Sequence, residues 1–172
     1  IPENQWGYHK DWSLSYIKNP VEVLERIVHA VSMGGNMVVN FGPQPDGDFR
    51  AEEKELAKVI GKWTARNGEC IYACGYAGWE KQDWGYYTAK GHHVYMVVFN
   101  RPYSGQLTAK TPKGTQIIKA SLLNGENIKV TETARNEYNV SMPKHEFNEP
   151  FVIKLEIKSS ESITNKYREA LT

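Results

Sequence analysis

The chain has 172 residues, of which 40% are hydrophobic and 24% charged, and its formal net charge is +1. These fractions are those of an ordinary globular protein and argue against a disordered chain, a fibre or a membrane span. Because lysines and acidic residues are interleaved, there is no basic stripe of the kind that nucleic-acid backbones require.

The cysteines do not decide the cellular compartment. Cys70 and Cys74 are the only two. They are spaced too widely for a Cys-x-x-Cys redox motif and are too few for a disulfide framework. No signal peptide is recognisable after Ile1, and we expect the first residues to be the interior of a longer polypeptide.

Two amphipathic helices are predicted in the first half of the chain. Asn19-Pro20-Val21-Glu22 is a strong helix start, because Asn can cap, Pro suits the first position and Glu can reach back to the cap. Gly34-Gly35 should end this helix by supplying a residue at positive φ. The second helix should run from near Ala51 to Asn67-Gly68. The apolar residues of the first helix form a helical stripe, Val21, Leu24, Ile27, Val28 and Val31, and the expected buried face of the second is Leu56, Val59, Ile60 and Trp63.

A buried parallel strand is predicted between the two helices. The apolar run Met37 to Phe41 suits a strand covered on both faces, and Pro45-Asp46-Gly47-Asp48 favours a turn after it. Helix, strand, turn and helix form part of a β/α pattern, in which ligands usually bind at the carboxyl ends of the strands. The rest of the sequence offers no second strand in a β/α context, so we expect the parallel neighbours to lie upstream of Ile1.

From about Glu69 onward the sequence predicts an antiparallel β-sandwich. Short apolar runs alternate with turn residues, among them Asn124-Gly125, the pair favoured in a two-residue hairpin. The expected division is a barrel-type domain over residues 1–75, a sandwich over 76–158 and a polar tail over 159–172. The predicted strands are 70–74, 85–88, 93–100, 106–110, 116–123, 128–132, 138–142 and 151–157.

Two places in the first half are candidate sugar contacts. The loop Trp6 to Trp12 holds two Trp, a Tyr, a His and an Asp, and its rings either stack on a sugar or fill space above a sheet. Asn40, near the end of the buried strand, either points into the mouth of a barrel or is a satisfied buried amide.

Other polar residues favour structural roles. Asp46 and Asp48 lack the further ligands of a calcium loop, and Glu3 has no carboxylate partner for glycoside hydrolysis. His92 and His93 are adjacent on a strand and therefore point to opposite faces. Because no phosphate loop, nucleophile elbow or zinc spacing occurs, no cofactor and no metal are predicted.

A combination of motifs resembles one enzyme family. The motifs are Trp6-Gly7-Tyr8, Gly34-Gly35-Asn36 with Asn40 and Gly42-Pro43, Asp46-Gly47, Gly61-Lys62-Trp63 and Asn67-Gly68-Glu69-Cys70-Ile71-Tyr72. Residues 1 to about 72 resemble the C-terminal part of the α-L-fucosidases of glycoside hydrolase family 29. Beyond residue 75 the likeness is one of architecture, because that family follows its barrel with a β-sandwich.

The resemblance implies an α/β barrel fragment followed by an antiparallel β-sandwich, and retaining release of α-L-fucose from fucosylated oligosaccharides or glycoconjugates. An Asp nucleophile and a Glu acid/base are implied, both upstream of Ile1, so no catalytic residue is expected in this chain. Trp6, Tyr8, Asn36 and Asn40 would form the edge of the fucose pocket, with the remainder of the barrel as partner. A secreted, periplasmic or lysosomal location is implied as well.

A different class of function remains open from the residues alone. Trp79, Trp84, Tyr86 and Tyr87 could stack on glycans and make the sandwich a non-catalytic carbohydrate-binding module, or they could pack in its core. A purely structural role, in which the sandwich covers the flank of the barrel, is the third alternative.

Overall fold

The computed structural model describes residues 7, 8, 10, 18–144 and 148–159 of the chain. Two α-helices are followed by a short 3₁₀ helix and by eight strands in two antiparallel sheets. Neither of the helices in this part of the chain combines the length and hydrophobicity that crossing a bilayer requires.

Helix α1, Pro20–Ser32, begins and ends as its local sequence predicts. The Asn19 side chain accepts a hydrogen bond from the Val21 amide, and the Asn19 amide donates to Glu22 in a capping box. At the other end Gly34 has φ +80°, and the amides of Gly34 and Gly35 donate to the carbonyls of Val31 and Ala30. This pair of bonds is a Schellman motif, which satisfies carbonyls that the last turn of a helix leaves without partners.

Helix α2, Ala51–Asn67, also has the predicted bounds and continues into the 3₁₀ helix Gly68–Cys70. The predicted strand over residues 70–74 is wrong. The amides of Ile71 and Tyr72 both donate back to the Gly68 carbonyl, so the backbone folds on itself, and Ala73 has φ +59°. These local bonds use the amides that a strand would offer to a neighbour.

The second half forms two antiparallel sheets, which confirms the predicted sandwich-like architecture. The larger sheet has the order β1-β2-β8-β4-β5 and the smaller one β3-β7-β6. Asn124-Gly125 lies in the β4–β5 hairpin, but Ser121 pairs with Asn127, so the loop is longer than two residues. The strands are β1 Gly85–Lys90, β2 His93–Val98, β3 Gln106–Lys110, β4 Gln116–Leu122, β5 Asn127–Ile128, β6 Val130–Ala134, β7 Glu137–Ser141 and β8 Phe151–Lys158.

The larger sheet is covered on both faces, which explains why five consecutive residues of β2, Val94–Val98, are buried. Alternate side chains such as Val94 and Met96 join a core shared with the smaller sheet. The intervening side chains, Tyr95 and Val97, join a second cluster with residues of α1 and α2. Because side chains alternate along a strand, one continuous apolar run serves both cores.

Specific polar contacts fix the helices to this sheet. Trp63 of α2 is fully buried, and its Nε1 donates to the carbonyl of Pro150, just before β8, at 2.7 Å. The Thr88 hydroxyl of β1 donates to the Cys70 carbonyl at 2.6 Å. Arg66 pairs with Glu149 at 2.7 Å on the surface nearby. The division at residue 75 stays a prediction, since helices and sheet share this buried cluster.

The predicted strand from Met37 to Phe41 is not formed. Residues 35–44 have no regular secondary structure, and the Val38 side chain is 90% exposed. No backbone hydrogen bond joins residues 36–41 to another described segment. A strand exists only with a hydrogen-bonded neighbour, so this apolar run has no regular secondary structure here. The expected α/β barrel fragment is thus represented by its two helices and not by its strand.

A polar cluster beside the 3₁₀ helix should make stability depend on pH. Lys154 Nζ donates to Glu69 Oε1 at 2.6 Å and Tyr95 donates to the same oxygen at 2.9 Å. The ammonium of Lys154 and then the Tyr95 hydroxyl hold the pKa of Glu69 below its usual value of 4.5. A lowered pKa in the folded state stabilises the fold above pH 4.5, and this contribution is lost as the pH falls through the folded pKa.

We expect Glu69→Gln to lower the free energy of unfolding by about 0.5–1 kcal/mol at pH 7, because the Glu69 side chain is 44% exposed and solvent screens the pair. The difference between wild type and variant should shrink at pH 3. Urea titrations at both pH values measure it, and a difference that grows on acidification would contradict this assignment.

Candidate functional site

The turn that follows residues 37–41 is built by local hydrogen bonds. Gly47 has φ +86°, and the Gln44 amide donates to the Asp48 carbonyl at 2.7 Å. The Asp46 carboxylate accepts from the Asp48 amide, and Lys54 pairs with Asp48. Hydrogen bonds from Lys54 and from the Phe49 amide lower the pKa of Asp48. Both carboxylates therefore shape the turn, as the sequence predicts.

The described part of the aromatic loop packs on this turn. A Cβ atom on Gly42 would lie 2.7 Å from the Tyr8 nitrogen and 2.8 Å from the Gly7 carbonyl carbon, so only glycine allows this approach. The Arg50 guanidinium lies 4.7 Å from the centroid of the Tyr8 ring, a cation–π contact. The Tyr8 side chain keeps 37% of its surface exposed. Two segments far apart in sequence thus meet at Gly42.

A buried carboxylate beneath this junction was missed by the sequence analysis. Glu53, in the first turn of α2, is 1% exposed, and its Oε1 accepts a hydrogen bond from the Gly42 amide at 3.3 Å. The signal was its spacing: Glu53 lies three residues before Leu56 and ten before Trp63, on the apolar stripe of the helix. An acid on such a stripe needs partners inside the protein.

The predicted pocket residues differ in location and in exposure. Tyr8 lies at the junction, and Asn40, two residues before Gly42, is half-buried. Asn36 is exposed, four residues before Asn40 in the chain. Trp6, like Glu3, lies outside the described residues. The role of these side chains in sugar binding stays a prediction.

The four aromatic residues considered as glycan contacts in the sandwich are mostly buried. Trp79, Trp84 and Tyr87 are 6%, 3% and 4% exposed, and Tyr86 is half-buried beneath His29, with ring centroids 5.3 Å apart. These four rings form no exposed platform, so the specific surface on which the binding-module alternative rested is absent from them.

Metal and thiol chemistry find no support in the described part of the chain. It contains no group of three or more His, Cys, Asp or Glu side chains that could hold a metal ion. Cys70 and Cys74 are both free thiols. Burial raises the pKa of Cys70 and raises the pKa of Cys74 to about 11, so neither is a ready nucleophile at neutral pH.

Comparison with known proteins identifies the family of this arrangement. A family model described as α-L-fucosidase matches residues 1–69. A crystal structure of a glycoside hydrolase family 29 α-L-fucosidase from Bacteroides thetaiotaomicron superposes on 100% of the chain with a TM-score of 0.90 at 66% identity. The chain belongs to the α-L-fucosidase family. Tissue α-L-fucosidase of Homo sapiens is 36% identical over 126 residues, which cover 72% of this chain.

The match covers only part of those fucosidases. The chain spans 27% of the human protein and 38% of the Bacteroides structure. A second α-L-fucosidase structure from Bacteroides thetaiotaomicron is 68% identical, with a TM-score of 0.90. The match covers 92% of this chain and 37% of the chain in that structure. That structure is described as a trapped covalent intermediate in complex with 2-fluoro-fucosyl fluoride.

Proposed function

We propose that this chain is the late part of the catalytic barrel, with the following sandwich, of a retaining exo-α-L-fucosidase that releases fucose from fucosylated glycans. The observation that carries the proposal is the 68% identity and TM-score of 0.90 to an enzyme in which a fucosyl intermediate was trapped covalently. A covalent intermediate is the defining step of a retaining glycosidase.

The chain's own part in that reaction is to hold one wall of the sugar pocket. The Asp nucleophile and the Glu acid/base that the family resemblance implies would come from outside these residues. Tyr8 and Trp6 would offer ring faces to the apolar side of fucose, and Asn36 and Asn40 would offer amide donors and acceptors to its hydroxyls. Glu53 and Arg50 would hold the Tyr8 loop against Gly42.

The exposed apolar segment fits this role. Val38 is 90% exposed and Met37 36%, yet the same side chains would be covered if residues 37–41 paired with neighbouring parallel strands. Such pairing would place Asn40 near the carboxyl end of a barrel strand, where barrel enzymes build their active sites.

A hybrid enzyme, in which this chain replaces the matching part of a full-length relative, tests the proposal. A hybrid of the Bacteroides enzyme, with its matching portion replaced by these 172 residues, should hydrolyse 4-nitrophenyl α-L-fucoside with kcat/KM within about tenfold of the parent. In the hybrid, Asn40→Ala and Tyr8→Ala should each lower kcat/KM by about 5- to 50-fold, as expected for the loss of one or two contacts to the sugar.

Tyr103→Ala is the matched control, because Tyr103 is fully exposed in the turn between β2 and β3. It should leave kcat/KM unchanged. A folded hybrid without activity would overturn the enzyme assignment, and Asn40 and Tyr8 variants as active as the control would overturn the pocket assignment.

A further inference from the structure

A shallow surface groove lies along the last turns of α2, away from the Tyr8–Gly42 junction. Its volume of about 540 Å³ is within the ~300–1,000 Å³ range of ligand-binding clefts. Glu53 at the junction and Arg66 in the groove lie near opposite ends of α2, about 20 Å apart along its axis. The groove is lined by Gly61, Thr64, Ala65 and Arg66 of α2, by Gly68 and Glu69 of the 3₁₀ helix, and by Tyr72 of the following turn.

The Tyr72 ring is exposed, but the residue is fixed in place. Tyr72 is 66% exposed, and its amide donates to the Gly68 carbonyl at 2.8 Å while its carbonyl accepts from Lys90 Nζ at 3.4 Å. A Cβ atom on Gly68 would lie 2.6 Å from the ring's Cε2, so glycine lets this edge of the ring lie against the helix end. A single exposed ring such as Tyr103 is ordinary. Tyr72 differs because it is held beside a groove.

The groove also offers a hydrogen-bond donor and an acceptor that the described residues leave unused. The Arg66 side chain is 59% exposed and binds Glu149 through Nη2, and no described residue accepts from its Nε or Nη1. The Glu69 side chain is 44% exposed and receives Lys154 and Tyr95 at Oε1, and no described residue donates to its Oε2. A guanidinium and a carboxylate oxygen are therefore both available to a ligand.

The chemistry of the groove favours a neutral ligand rich in hydroxyl groups. The Arg66 guanidinium is already compensated by Glu149 at 2.7 Å and the Glu69 carboxylate by Lys154 at 2.6 Å, so neither an anion nor a cation gains a net attraction. A sugar hydroxyl can accept from the guanidinium and donate to the carboxylate at the same time. The face of an aromatic ring suits the apolar C–H face of a sugar.

We propose that this groove is a surface binding site for a neutral oligosaccharide, in which the Tyr72 ring stacks on one sugar unit and Arg66 and Glu69 bind its hydroxyl groups. The inference does not depend on hydrolysis and goes beyond the fucose pocket. The site would hold a sugar unit other than the reacting fucose, because α2 separates it from the junction.

An NMR titration of the 172-residue chain with neutral oligosaccharides that contain no fucose tests the proposal. The neutral probes are cellotetraose, mannotetraose and di-N-acetyllactosamine, and tetragalacturonate is the anionic arm. At least one neutral probe should bind with a Kd of about 1 mM, because a shallow site makes few contacts. The backbone amide signals of Thr64, Gly68 and Tyr72 should shift, whereas that of Tyr103 should not.

Tyr72→Ala and Tyr103→Ala form a matched pair, because each removes one exposed ring. Tyr72→Ala should raise Kd by about tenfold or more, as expected when an aromatic anchor is truncated, and Tyr103→Ala should leave it unchanged. Tyr72→Phe should bind nearly as well as wild type, since stacking needs the ring and not its hydroxyl. Arg66→Met keeps the apolar stem without the guanidinium and should weaken binding by about 3- to 10-fold.

Three results would overturn the proposal. They are the absence of any shift with the neutral probes at about ten times the expected Kd, binding of tetragalacturonate at least as tight as that of the neutral probes, and a folded Tyr72→Ala variant that binds like wild type. Because no probe carries fucose, none of these outcomes bears on the hybrid-enzyme experiment, and the two proposals fail separately.

Discussion

Trp63→Ala should lower the free energy of unfolding by about 3–5 kcal/mol, the range for truncating a large, fully buried aromatic side chain. Trp63 is 0% exposed and lies in the cluster that joins α1 and α2 to the larger sheet. The change also removes the donor of the Pro150 carbonyl, which stays buried without a partner. Urea unfolding followed by far-UV circular dichroism measures the loss.

Two further variants separate the causes. Trp63→Phe keeps most of the apolar surface but not the Nε1 donor. Its free energy of unfolding should therefore lie between those of wild type and Trp63→Ala. Tyr103→Ala, at a fully exposed ring, should change the free energy by less than about 0.5 kcal/mol. If Trp63→Ala cost less than 1 kcal/mol, the helices would not depend on this anchor.

Gly85→Ala should be destabilising by more than about 3 kcal/mol, because the backbone leaves no room for a side chain. Gly85 opens β1 at φ +155° opposite Val98. A Cβ there would lie 2.1 Å from the Val97 carbonyl oxygen, a backbone atom that cannot turn away. Relief of this clash requires separation of β1 from β2, whose side chains form part of both cores.

Gly61→Ala is the control for this substitution. Gly61 lies inside α2, and a Cβ there would have no neighbouring atom within 4 Å. Alanine should therefore raise the free energy of unfolding by about 0.5–1 kcal/mol, since glycine is the poorer helix former. Equal effects of the two substitutions in urea titrations would show that the contact at Gly85 is not decisive.

Some features of the candidate site were predicted from the sequence, and others were not. The turn at Asp46-Gly47 follows from its own sequence, and the family resemblance pointed to Tyr8 and Asn40. The approach of Tyr8 to Gly42 could not be predicted, because it joins segments more than thirty residues apart. The carboxylate of Glu53 was overlooked although its position on the apolar stripe of α2 was a signal, because the sequence does not show that the Gly42 amide is its partner.

The sequence by itself determined the features that depend on neighbours a few residues away. The capping box at Asn19, the glycine stop at Gly34, both helices and six of the eight predicted strand regions follow from local hydrogen bonding and from side-chain periodicity. The single strand predicted over residues 128–132 is wrong, because that region is divided between β5 and β6, which lie in different sheets. Tertiary structure alone decided the state of residues 37–41 and the burial of Trp79 and Tyr87. An apolar run becomes a strand, and an aromatic ring becomes core or surface, only when a distant segment supplies its hydrogen bonds or covers it.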